Sequence, residues 1–158
     1  MKLLEEALNL GKKKMMMPIS LQDVEILNSI GIIYNETNQY ELSIKTYEKA
    51  IKHLKDIVDV PDRKVEIRIY YGLAKSLFKN GNFIESMKFC NKGINLCLNE
   101  DLLYLLGELN YELGQNYHAL KQNDHARKHF STSLQLFQLS ERSTFIEVIE
   151  KRISSLDN

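Results

Sequence analysis

The 158-residue chain is poor in the residues that interrupt helices, with two prolines and seven glycines. At 44% apolar residues it has ample material for a helical core, and the composition fits an all-α protein. It has no excess of either charge: 21 Lys and Arg balance 21 Asp and Glu, and the sequence pI is about 6.9. Nucleic-acid-binding domains usually carry a basic face, so this balance argues against direct binding of nucleic acid. No run of ~20 apolar residues is present, which excludes a transmembrane helix. The first ten residues carry Glu5 and Glu6 within their apolar stretch, unlike a signal peptide. Cysteine is limited to Cys90 and Cys97 on one predicted helix. Their seven-residue separation places the Cα atoms ~10 Å apart along the axis, too far for a disulfide. A reduced, cytoplasmic protein is expected. There is no glycine-rich phosphate loop, no serine-centred elbow and no CxxC. We therefore expect no enzyme activity and no cofactor.

What the chain does contain is a repeat. Leu27, Ile30, Gly31 and Tyr34 are followed, after a short polar turn, by Tyr40, Ser43, Tyr47, Ala50 and Ile51. A shift of 83 residues places Leu113 and Gly114 on Ile30 and Gly31, Tyr117 on Tyr34, Ala126 on Ser43, Phe130 on Tyr47 and Ser133 on Ala50. A shift of 43 places Phe83, Ser86, Cys90 and Gly93 on Tyr40, Ser43, Tyr47 and Ala50. The same shift puts Tyr70, Leu73, Ala74 and Leu77 on the first-helix positions. Antiparallel helices approach closely only where side chains are small, so Gly31, Ser43 and Ala50 mark the crossing and the bulky residues fill the space around it. This pattern resembles the tetratricopeptide (TPR) repeat, although its period exceeds the usual ~34 residues. The fold expected is all-α: a TPR-like right-handed superhelix of antiparallel helix pairs with a C-terminal capping helix.

Residues 2–13 form an amphipathic helix with Leu3, Leu4, Ala7, Leu8 and Gly11 on one side, like the second helix of an incomplete repeat. The chain thus reads as the C-terminal part of a longer protein, or as a product that has lost its front. Residues 12–17, with three lysines, form a connector; we read them as a solvated helix end, since polybasic anchors need more charge or a lipid. Single repeats are assigned to 20–57, 62–98 and 101–138, and a closing helix to 144–156. Ser20 and Asp23 form a capping box, as do Thr144 and Glu147, and Asp62 is an N-cap. Asn80-Gly81 signals a turn. Phe145, Ile149, Ile153 and Leu156 form one stripe on an otherwise polar helix, as a terminal cap requires. With Leu3, Leu4 and Leu8 left partly uncovered, a homodimer is expected.

In such an array the first helices of successive repeats line a concave groove. The groove positions are Glu25, Asn28, Ile32 and Asn35; then Arg68, Tyr71, Lys75 and Phe78; then Glu108, Tyr111, Gln115 and His118. Asn and Gln side chains can pair with an extended peptide backbone. Arg68 and Lys75 can hold a carboxylate, and Tyr71, Phe78 and Tyr111 offer flat apolar contact. Three aromatics and an isoleucine are too many for a plain solvated face, so these residues are expected to bind a short peptide. His125 and His129 stand four apart on a helix, but no third ligand accompanies them, and no metal site is expected.

The second half of the chain carries further detail. The runs 68–78, 82–87, 91–97, 106–114 and 145–156 occur in an order, and close with a helix, that resembles the C-terminal TPR domain of peptide-pheromone-responsive transcription regulators of Gram-positive bacteria, the PlcR and NprR type. The resemblance covers residues 20–157. It implies a cytoplasmic quorum-sensing domain whose groove takes an imported signalling peptide, with groove asparagines on the peptide backbone and basic groups on its carboxylate. Asn28 is the position that matches such an asparagine. In that family a helix-turn-helix precedes the domain; this chain carries none, so it should not itself bind DNA. Two other readings are a TPR adaptor and a Rap-like anti-activator, each binding a protein partner.

Overall fold

The computed structural model describes residues 1–15 and 18–158. The helices are α1 (Lys2–Met15), α2 (Leu21–Glu36), α3 (Tyr40–Asp56), α4 (Lys64–Lys79), α5 (Phe83–Asn99), α6 (Leu106–Ala119), α7 (Asn123–Leu139) and α8 (Ser143–Ser155). Helices α2/α3, α4/α5 and α6/α7 pack as antiparallel pairs, α8 closes the array on α7, and α1 leans on α2. The first helices also touch along the array, α2 on α4 and α4 on α6, and this contact builds the inner face.

The repeat register read from the sequence is present in the hydrogen bonds. Ser43 Oγ donates to the Gly31 carbonyl at 2.8 Å, and Ser86 Oγ donates to the Ala74 carbonyl at the same distance. Both partners are displaced by 43 residues. The helix-to-helix turns agree as well. Asn38, Gly81 and Lys121 all take left-handed φ values of 61°, 83° and 60°. In each turn the next residue donates its N–H back across the helix end: Gln39 to Tyr34, Asn82 to Leu77 and Gln122 to Tyr117. These bonds satisfy carbonyls that a helix end leaves without partners.

Aromatic rings set the helix separation. Tyr47, 1% exposed, lies between α2 and α4, where only glycine leaves room: a Cβ on Gly31 or Gly72 would fall 2.6 and 2.3 Å from its ring. Phe130 fills the same place in the last pair, against Gly114. Cys90 and Cys97 are buried and free; burial pushes the Cys97 thiol up to about 11 and that of Cys90 still further. No helix among the described residues is long and apolar enough to cross a membrane.

Several local expectations are corrected. The third pair begins at Leu106 rather than Asp101, because Asp101 and Leu105 both adopt left-handed backbone, with φ 52° and 56°, and turn residues 100–105 into a loop. The Thr144 capping box does not form. Glu141 is left-handed and Arg142 N–H bonds back to Phe137, so α8 starts at Ser143 and Thr144 already lies inside its first turn. Asp62 precedes the N-cap residue Arg63, yet its carboxylate accepts from Lys64 N–H at 2.9 Å and still serves one free donor. The Ser20–Asp23 box forms in both directions. On α1, Leu8 is buried in the first core cluster, while Leu3 and Ala7 face outward, so the apolar stripe is only partly used and Leu8 is not uncovered. Gly11 and the connector at 12–17 lie outside the residues whose side chains are described. On α8, Ile149 and Leu156 are buried and Ile153 packs beside them, whereas Phe145 lies at the rim, stacked on Phe137 with centroids 4.7 Å apart.

Candidate functional site

Helical spacing of three and four residues carries the groove positions to one face of α2, α4 and α6. Two cavities occupy that face. The first, about 280 Å3, is lined by Asn28, Ile32 and Asn35 from α2 and by Arg68, Tyr71 and Lys75 from α4. The second, about 370 Å3, is lined by Glu108, Tyr111 and Gln115 from α6, again with Tyr71 and Lys75. Tyr71 and Lys75 belong to both, so the cavities form one groove. Phe78 and His118 line neither. Phe78 turns against Phe83, and His118 Nδ1 lies 3.1 Å from Asn123 Oδ1, both toward the helix-turn end of their pairs.

The polar groups are in different states. Asn28 is 9% exposed, and its amide has no hydrogen-bond partner among the described residues. Asn35 donates to Ser76 Oγ at 2.8 Å, and Ser76 in turn lies 2.7 Å from Ser43 Oγ, so Asn35 ties one repeat to the next. Asn116 does the same for Ser86 at the following junction. Arg68 is engaged by Glu25 at 2.5 Å, and Glu108 by Arg142 at 2.6 Å. Lys75 stands over the Tyr71 ring, 5.4 Å from its centroid, a cation–π contact. Burial pushes the Tyr71 hydroxyl far above its ordinary range, with Glu112 and Glu108 adding to the effect, so it stays a neutral donor.

Sequence spacing missed several lining residues. Glu112 is 4% exposed in the second cavity. Burial raises its carboxyl to about 7, against the opposing pull of Lys75, Lys79 and a hydrogen bond from Gln115. An acid between Leu109 and Leu113, inside an apolar stripe, was the available signal. Lys79, Phe137, Phe145 and Arg152 complete that cavity. Tyr104 and Leu105 reach the first cavity from the α5–α6 loop, and Tyr47 reaches it from the core. Leu105 depends on its left-handed backbone, which no pattern of residues announces. Elsewhere, His125 and His129 stack on Tyr117, with centroids 5.1 and 5.4 Å away, and no group of three metal-ligating side chains occurs among the described residues.

Residues 2–156 match the model of the RNPP family C-terminal domain. No curated protein matches the chain in sequence. Among solved structures it is similar to Bacillus thuringiensis PlcR in complex with the peptide PapR7 and DNA, with 22% identity and a TM-score of 0.80 over 92% of this chain and 52% of PlcR. It is also similar to the apo form of RapI, with 16% identity and a TM-score of 0.81 over 96% of this chain and 55% of RapI. PcrH in complex with the chaperone binding region of PopB shares the fold at 15% identity and a TM-score of 0.63, over 87% of this chain and 96% of PcrH. The chain thus spans about half the length of PlcR and RapI.

Proposed function

Because the chain belongs to the RNPP family, whose C-terminal domain it carries, we propose that its groove binds a short linear peptide and acts as the sensing domain of a quorum-sensing regulator. The observation that carries this reading is the Asn28 amide, nearly buried and without a protein partner, beside Ile32 and Tyr71 in the first cavity. The Asn28 amide has no protein partner to give up, and an extended backbone supplies it one acceptor and one donor. Ile32, 43% exposed, and the ring of Tyr71 give a side chain of the peptide apolar contact. PlcR was solved with a peptide, which supports the same use of the fold here. The regulator works in the cytoplasm as a homodimer, with Leu3, at 79% exposure, on the surface that pairs.

The test is calorimetry of short synthetic peptides against the purified chain and its Asn28→Ala variant. We expect the variant to bind about tenfold more weakly, the loss of a neutral hydrogen bond in a buried site. A second reading follows from the similarity to PcrH, which was solved with a segment of PopB: the groove would take a stretch of a protein partner instead. Failure of every free peptide, with a folded protein bound through the same groove residues, would select that reading.

A further inference from the structure

Tyr47 is a core residue whose hydroxyl the core does not use. Its ring comes from α3, is 1% exposed and passes between Gly31 on α2 and Gly72 on α4. A Cβ on Gly31 would meet the ring, whereas one on Gly72 would also meet the hydroxyl, so the tip of the side chain lies over α4. Gly72 and Tyr47 both line the first cavity, and the hydroxyl emerges on its floor. There it makes no hydrogen bond among the described residues. Burial, with the charge of Glu36 adding to it, holds the hydroxyl far above its ordinary range, so it stays a protonated donor. Packing does not require it. The equivalent positions of the other two pairs are Cys90 and Phe130, and Phe130 fills its place against Gly114 with no hydroxyl. Glu36, at the end of α2, lines the same cavity and has no ion pair or hydrogen bond among the described residues. A neutral donor and a carboxylate, neither committed to the protein, thus share one cavity.

Resting on the peptide reading, we propose that Tyr47 and Glu36 form a selectivity site for a side-chain carboxamide, a glutamine or asparagine of the bound peptide. A carboxamide carries both an acceptor and a donor. Its oxygen accepts from the Tyr47 hydroxyl, and its NH2 group donates to the Glu36 carboxylate. Ile32, Tyr104 and Leu105 line the same cavity and give its methylenes apolar contact. An acidic side chain of the same shape brings a second negative charge beside Glu36. An apolar one of the same length leaves both polar groups unmatched. A site built around hydrogen bonds rejects analogues that lack them, and like charge rejects the acid. This role is separate from that of Asn28, which takes the peptide backbone.

The experiment selects binders from a random heptapeptide display on the purified chain and measures them by calorimetry. The selected peptides are expected to share a Gln or Asn at one position. Replacing that residue with Met should weaken binding roughly tenfold, and replacing it with Glu by more. Tyr47→Phe should weaken the amide peptide about tenfold and leave the Met peptide unchanged, because the two changes remove the same bond. Glu36→Gln should restore the Glu peptide to within a few-fold of the amide peptide. Because the hydroxyl has no protein partner, Tyr47→Phe should keep the urea midpoint of the parent; a marked drop would overturn the proposal by showing that the fold uses it. Selected peptides with no shared amide, or equal effects of Tyr47→Phe on the amide and Met peptides, would also overturn it, while Asn28→Ala still tests the peptide reading. If the display yields no binder, the peptide reading fails and this inference fails with it.

Discussion

Gly114 gives a sharp test of the packing. Replacing it with alanine would set a Cβ 2.6 Å from Phe130 Cδ1 and 2.7 Å from Cε1. Two effects compete. Alanine in a helix interior is favoured over glycine by ~1 kcal/mol. Overpacking a well-filled core costs ~1–3 kcal/mol, and the upper end applies where the obstacle is rigid. Phe130 is fully buried, its ring is 5.5 Å from that of Tyr111, and it cannot swing aside without displacing that neighbour. The net expectation for Gly114→Ala is a loss of ~2 kcal/mol. Gly93 is the control. Its added Cβ would meet the Leu109 methyl groups at 2.9 and 3.0 Å, the movable ends of a side chain, so the two effects nearly cancel. In urea unfolding the two variants should separate by about 1 M in midpoint, taking a slope of ~2 kcal/mol per molar. Phe130→Leu should relieve the clash, so Gly114→Ala should cost less in that background. A Gly114→Ala protein as stable as the parent, or one less damaged than Gly93→Ala, would refute this packing.

Phe130→Ala should cost ~3–5 kcal/mol as a large-to-small core change; a loss below ~1 kcal/mol in the same assay would mean that the ring is not in the core. Glu112 should make the fold less stable as pH rises. Its folded value, about 7, lies above the ordinary 4.5, so the folded state holds the proton more tightly; stability is full below the unfolded value and is lost through to the folded one. Glu112→Gln should therefore recover about 3 kcal/mol at pH 8 and little at pH 4, read from urea midpoints at both pH values. Arg68→Ala should weaken free-acid and amidated peptides alike, because Glu25 on one terminal nitrogen already neutralises the guanidinium and the Nε is buried; a loss confined to the free acid, measured by calorimetry, would place the carboxylate at Arg68.

The register of the helix pairs was legible because small and aromatic residues recur at fixed offsets. Ser43 and Ser86 sit at equivalent crossings and make equivalent bonds. The groove face was also legible, since three- and four-residue spacing follows from helix geometry alone. What could not be read was decided by loops and by partners distant in sequence. The start of α6 hangs on two left-handed residues, Asp101 and Leu105, neither of which is a glycine. The engagement of Arg68 depends on Glu25, 43 residues earlier, which was read as a second groove position rather than as a counter-ion. Asn35 was read as a peptide donor, yet it spends its amide on Ser76 of the next repeat. Phe78 and His118 kept the helical phase of the groove but fell beyond its end, where each found a neighbour from the following helix.

The most direct measurement for the central claim is a nitrogen-15 NMR titration of the labelled chain with a bound short peptide. Binding in the groove predicts that the largest shifts fall on Asn28, Ile32, Tyr71, Lys75 and Gln115, with Tyr70 and Phe89, which pack together away from the groove cavities, nearly unmoved. Shifts concentrated on Tyr70 and Phe89, with the groove residues silent, would contradict it.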